Sequence, residues 1–392
     1  MENVMPRYQR PIPSISDPVI HVAHWETAIE AYDEKEFKKS VLEVLNYINP
    51  ALLKGKELNG DIEIIQMQGS AEIHVKITDK TLRIQAPFLK ITNETNKVAL
   101  LRRVGEVNFS PLGLASIVLR DDELWFEHEM SLVVSQPNKV YDLLHEVCVY
   151  ADDYDDQFID KYNATFYKEP AIKALTEKEQ DEVWTQISNI FEDYHNYTQF
   201  FIEKRWTNFQ WDNLVISLLK LSNMPYIHGK LRSDLIEYVR NLFNGDIDFQ
   251  FRVDKGVNFM KKLTAKSREE IMKNTYHAEQ FISLRWRSSP QIITDRLKGN
   301  FEQVQKYEKE ESNFNLSYYL QFTLLKLIYD FNLDENYKKT IEKVMEDVSS
   351  LDPDEAAPKL VKVYYQLYEA NVSEQVVEAT KKKKGFFSKL FN

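Results

Sequence analysis

The chain has 392 residues, a formal net charge of −11, a pI near 5.4, and 43% hydrophobic with 12% aromatic residues. That much apolar material excludes general disorder, and the length favours two domains over one. The acidic balance disfavours a general nucleic-acid binder, and the mean hydropathy of −0.47 comes with no apolar run near the ~20 residues of a spanning helix.

Cys148 is the only cysteine, so neither an intrachain disulfide nor a cysteine zinc cluster is expected. With no apolar signal core in Met1–Pro18, a cytoplasmic, reducing setting is the expectation. Residues 1–20, with prolines at 6, 11, 13 and 18, read as an extended arm. Trp25, Ala28, Ile29 and Tyr32, then Phe37, Val41, Val44, Leu45 and Ile48, sit at helical spacing, with a break expected near Asp33.

From Gly60 to Leu132 the pattern is five short strands interrupted by one helix. Ile62 and Ile64 open the first strand. Ile73, Val75 and Ile77 alternate with polar residues in the second, and Leu82, Ile84, Ala86 and Phe88 in the third. Period two with one wet face is the antiparallel pattern. Asn93 or Thr95 is the expected cap of a helix carrying Val98, Leu101, Val104 and Val107, stopped by Ser110-Pro111. Ile117 and Leu119 form a fourth strand; Leu124, Phe126, His128 and Met130 form a fifth. Pro137 then opens a long helix with the seam Val140, Leu144, Val147, Ala151, Tyr154 and Phe158.

The order α-βββ-α-ββ-α, the Leu100-Leu101-Arg102-Arg103…Asn108 helix end, the pair Ser116–Leu119 and Glu123–Met130, and the helix at Gln136-Pro137 resemble the type III secretion chaperone-like fold shared with the YbjN-type family. The resemblance covers residues 21–163. It implies an α+β domain that binds extended segments of other proteins and self-associates as a homodimer. The chain continues for over two hundred residues beyond that pattern.

Residues 164–176 read as a linker, closed by a capping box at Thr176 and Glu179. Residues 177–371 read as an all-α domain with stripes such as Val183–Tyr194, Leu214–Leu221 and Leu235–Leu242. Phe249–Val253 alternates and suggests a short extended piece. Breaks are expected at Pro225, Gly229, Gly245, Gly256, Pro290, Gly299 and Pro353. Phe201–Trp206 echoes Phe281–Trp286, which raises a duplication as an option. The Arg-Trp pair within each reads as core tryptophan edged by arginine.

No catalytic motif, metal set or cofactor fingerprint emerges. With 10 glycines there is no phosphate-cradling loop, His145-Glu146 lacks a second histidine, and His21 with His24 lacks a third ligand. Cys148 beside its helix seam reads as a small core hydrophobe, and His128 as a core histidine. The run Asp152, Asp153, Asp155, Asp156 and Asp160 lacks EF-hand spacing. It is either a solvated helix face or a landing site for a basic partner segment.

Residues 372–392 form a basic, aromatic tail. In it Lys381, Lys382, Lys383, Lys384 and Lys389 accompany Phe386, Phe387, Leu390 and Phe391. A membrane foot on an anionic surface, a docking peptide, and a segment without a role all fit that composition. The leading functional expectation is a non-enzymatic protein-binding adaptor with a chaperone-like module. A peripheral membrane scaffold held by the tail is the alternative, and an enzyme with a pocket in the helical half comes third.

Overall fold

The computed structural model describes residues 5–8, 20–21, 23–170 and 172–369. Helices α1 (Ala23–Asp33) and α2 (Phe37–Ile48) form a hairpin broken after Asp33, where Lys35 takes a positive φ. Strands β1 (Ile62–Gln68), β2 (Ala71–Ile77) and β3 (Thr81–Lys90) follow as a meander. Helix α3 (Lys97–Phe109), strands β4 (Ser116–Arg120) and β5 (Glu123–Ser131), and the long α4 (Pro137–Tyr162) complete the expected α-βββ-α-ββ-α order.

The cap of α3 is Asn96, whose side chain accepts from the Ala99 N–H, rather than Asn93 or Thr95. Thr95 is occupied in a turn with Thr92 and donates to the Asn163 carbonyl. The buried side of α3 is accordingly Leu100, Val104 and Val107, while Val98 is exposed.

The main sheet runs β1-β2-β3-β5-β4, with the short β6 (Thr165–Phe166) added to the far end of β3. Ile62, Ile64, Ile73, Val75, Ile77, Leu82, Ile84, Ala86, Leu124 and Phe126 point to one face and are buried. There α4 crosses the sheet with Val140, Leu144, Val147, Ala151 and Phe158 inward. Trp25, Tyr47 and Tyr141 lock the α1–α2 hairpin onto α4, with ring centroids 5.0–6.1 Å apart. Cys148 lies in this core, and burial pushes its thiol up, as for an inert hydrophobe. His128 is only half-buried.

Glu146 clamps the loop between α3 and β4. Its carboxylate accepts from the N–H groups of Gly113, Leu114 and Ala115 at 3.1, 3.0 and 2.7 Å. Charge-assisted bonds of this kind are strong, so Glu146→Ala is expected to lower stability by about 2 kcal/mol. A urea midpoint unchanged from wild type would show that the loop is held otherwise.

Residues 164–176 are anchored at both ends. β6 pairs with β3, and β7 (Lys173–Ala174) pairs with β8 (Tyr276–His277) of the helical half. The helical half contains α5 (Glu177–Lys204), α6 (Thr207–Ser222), α7 (Gly229–Leu242), α8 (Phe249–Thr264), α9 (Arg268–Met272) and α10 (Pro290–Lys298). It continues with α11 (Phe301–Lys309), α12 (Asn313–Asp330), α13 (Glu335–Val348) and α14 (353–369). Strand β9 (Trp286–Arg287) pairs in parallel with β10 (Phe331–Asn332). The Thr176–Glu179 capping box is formed as its sequence suggests.

Four expectations are corrected here. Phe249–Val253 is helical, because Asp248 caps it and Val253, Gly256 and Met260 face the core. Gly256 is not a break but a close-approach site: a Cβ there would lie 2.5 Å from Leu214 Cδ2. Phe201–Trp206 ends a helix, whereas Phe281–Trp286 is irregular chain leading into β9, so the two segments are not structural repeats. Trp206 contacts Phe200, Phe209 and Phe314 but is 36% exposed, and Trp286 is 53% exposed, so neither is the core tryptophan its sequence suggests.

Two large apolar cores and a small aromatic cluster of Tyr197, Phe200, Phe201 and Tyr318 form among the described residues, and each large core borrows from the other half of the chain. Phe281 and Ile282 bury in the sheet core. Met5 and Tyr8 bury in the helical core, where the Met5 N–H donates to the Leu351 carbonyl at 2.8 Å.

Candidate functional site

The outer face of the main sheet carries no helix among the described residues, and its side chains are exposed or half-buried. One row runs Glu63, Lys76, Arg83, Glu129 across four strands in register. Lys76 bonds Glu63 at 2.8 Å, and Arg83 pairs with Glu129. The next row is Ile65, His74, Gln85, Glu127 and Ser116, in which Ile65 is 57% exposed. Trp125 and Tyr167, with rings 5.2 Å apart, add an aromatic strip on the same face.

The two edges of the sheet differ. On β4, the Asn108 side chain donates to the Ile117 carbonyl at 2.9 Å and accepts from the Ile117 N–H at 2.7 Å. An amide can satisfy both backbone groups at once, so Asn108 fills the Ile117 position of this edge, while Leu119, outward by the same alternation, has no such partner among the described residues. On β1, Lys56 Nζ takes the Glu63 carbonyl at 2.8 Å, which shows that Glu63 points its backbone outward. Alternation along an antiparallel strand then points the N–H and C=O groups of Ile65 and Met67 outward too. No hydrogen bond uses them among the described residues. The end of the strand is covered by the helical half, with Gly69 N–H donating to Glu279 O and Ile282 N–H donating to Gln68 Oε1. Sequence reading did not single out Asn108 for this role; the signal was a lone amide on the last turn of α3.

The acidic run lies where α4 meets α7. Asp152, Asp153 and Asp155 are buried, Asp156 lies beside Gly229, and Asp160 is exposed in an ion pair with Lys230. A solvated face therefore does not describe Asp152, Asp153 and Asp155. Their basic partner comes from the same chain: Arg232, 2% exposed, bonds Asp152 Oδ2 at 3.0 Å and lies 3.5 Å from Asp153 Oδ1. Ser70 donates its N–H to Asp152 at 2.9 Å and its hydroxyl to Asp155. Ser233 donates to the Asp153 carbonyl. One guanidinium serves several carboxyl groups, and the imbalance appears in their acidity. Burial pushes Asp153 up to about 6 against the pull of Arg232. Burial, then the charges of Asp156 and Asp152, push Asp155 well above the usual range. Burial likewise pushes the His228 ring down to about 4. Burial of this kind disfavours the charged carboxylate and moves its titration toward neutral pH. The spacing did contain a hint: Asp155 falls four residues after Ala151 and three before Phe158, on the seam itself.

His145 is buried and stacks on Trp286 at 4.4 Å, a further contact across the halves. His24 binds Glu43 at 2.6 Å, and Arg205, beside Trp206, ends α5 in a left-handed conformation. Among the described residues no group of three or more His, Cys, Asp or Glu is placed to hold a metal ion. No helix among them is long and apolar enough to cross a membrane. The tail residues Lys381–Lys384, Phe386, Phe387, Lys389, Leu390 and Phe391 lie outside the described residues. In comparison with known proteins, the chain matches no protein-family model, and no curated protein matches it.

Proposed function

We propose that this chain is a non-enzymatic protein-binding module that takes an extended segment of another polypeptide along β1. The observation that supports it most is the difference between the edges: Asn108 fills one of the two outward positions of β4, while Ile65 and Met67 both leave their backbone groups open on the longer β1. Added strands gain affinity from main-chain bonds and specificity from alternate side chains. Here an incoming segment would place alternate residues beside Ile65 on the wet face. The resemblance to the secretion chaperone-like fold points the same way, by analogy of fold alone. A cytoplasmic setting fits the single buried thiol.

A photo-crosslinking residue at position 65 is expected to capture a second polypeptide in cells, and one at position 119 on the short, partly blocked β4 edge to capture far less. The mass of the product distinguishes a second copy of this chain from a different protein. Ile65→Pro removes only an outward N–H, so it is expected to abolish capture from a neighbouring site while leaving the urea midpoint nearly unchanged. Equal capture from both edges, or none from either, would overturn the proposal.

A further inference from the structure

A cavity of about 140 Å³ opens where the 280–285 segment meets the turn after α6 and the turn before α13. Its lining holds two cations, Arg285 and Lys338, and two carboxylates, Asp334 and Glu335. Arg285 spends its Nε on Asn223 Oδ1 at 3.0 Å, and its two terminal nitrogens have no bond and no carboxylate within 4 Å among the described residues. Asn332 Nδ2 is buried without an acceptor. Lys338 also lines the cavity, without an ion pair among the described residues. The nearby acids are engaged elsewhere: Asp334 accepts from the Asn336 N–H at 2.9 Å, and Glu335 pairs with Lys339 at 3.4 Å. Met224, Pro225 and Leu333 supply an apolar wall.

The free end of the Arg285 fork, a buried amide donor and the Lys338 ammonium share one small space, and among the described residues no protein acceptor pairs them. We infer that this cavity binds the carboxylate of a small organic acid, clamped by the free end of the Arg285 fork, with its carbon body against Met224, Pro225 and Leu333. The planar fork matches a carboxylate through two parallel bonds. The apolar wall favours a carbon body over a bare inorganic anion. The site is separate from the β1 edge and stands without the reading of that edge.

The test is thermal unfolding and calorimetric titration of the full chain with sodium benzoate and sodium hexanoate as probes. Benzamide serves as the neutral shape control and inorganic phosphate as the bare-anion control. The expected result is a saturable rise in melting temperature with a carboxylate probe and little with either control. Arg285→Gln is expected to weaken binding about tenfold or more, the usual effect of losing a charge-assisted bond. Lys338→Gln, harmless to the fold, is expected to weaken it by about two- to fivefold. No saturable response to either probe, an equal response to benzamide, a response to phosphate alone, or undiminished binding in Lys338→Gln together with Arg285→Gln would each overturn the inference. Should Arg285→Gln fail to fold, the Lys338→Gln titration decides alone, and unchanged affinity there counts against the site.

Discussion

Replacing Arg232 by Ala is expected to lower the stability of the full chain by about 3–5 kcal/mol at neutral pH, the largest loss from any single side chain in the junction. The guanidinium is 2% exposed and is the counter-charge for Asp152 at 3.0 Å and Asp153 at 3.5 Å. Removing it strands two carboxyl groups in a dry interface. The loss should also depend on pH, with a definite sign. Burial already raises Asp153 to about 6, so its contribution is full below its unfolded pKa near 4 and declines as pH rises through 6. Without Arg232, which pulls that value down, the decline extends to higher pH. His145 and His228, pushed down to about 4 chiefly by burial, run the other way and lose stability as pH falls from 6.5 toward 4. Arg232 repels a proton from both rings, so its removal eases their penalty on the acid side. Both effects make the difference between variant and wild type smaller at pH 5 than at pH 7.5. Urea titrations at the two pH values measure it. A constant difference, or one that grows in acid, would mean that the Asp153 carboxyl is not the group being stranded.

Gly69→Ala is expected to cost nearly as much, about 3–5 kcal/mol, although it adds one carbon. Gly69 has φ +58, a region that other L-residues enter at a cost of about 1–2 kcal/mol. Its Cβ would also lie 1.8 Å from Asp152 Oδ1. That carboxylate cannot swing away freely, because Arg232 and the Ser70 N–H hold it. The added methyl therefore acts on the same ion pair as the loss of Arg232. The two substitutions should be markedly non-additive, the double variant losing less than the sum of the singles. Simple additivity would show that Gly69→Ala acts through backbone strain alone. Gly229→Ala, with φ +60 and Asp156 Oδ2 at 2.4 Å from the new Cβ, should show a milder form of the same effect.

Everything in this chain that follows from a local period was legible in its sequence. Alternation at Ile73–Ile77 and Leu82–Phe88 located strands, and the Val140–Phe158 seam located α4 and its buried side. The Thr176–Glu179 spacing marked the start of α5. Each is a relation among residues within one or two turns, where side-chain direction repeats with the backbone. The same local reasoning overreached at Phe249–Val253, where a five-residue alternation was outweighed by the Asp248 cap and the buried Met260. What the tertiary structure decided are relations between distant positions. Asp152 is buried because Arg232, 80 residues later, brings the opposite charge; by itself the acidic run reads as solvated. The β4 edge is filled at Ile117 because the end of α3 folds back to put Asn108 beside it. Met5 and Ile282 each leave their own half to fill the core of the other. A charge or an amide has no periodic signature of its own. Whether it faces water or a partner depends on which chain arrives opposite, and that is settled only when both halves have packed.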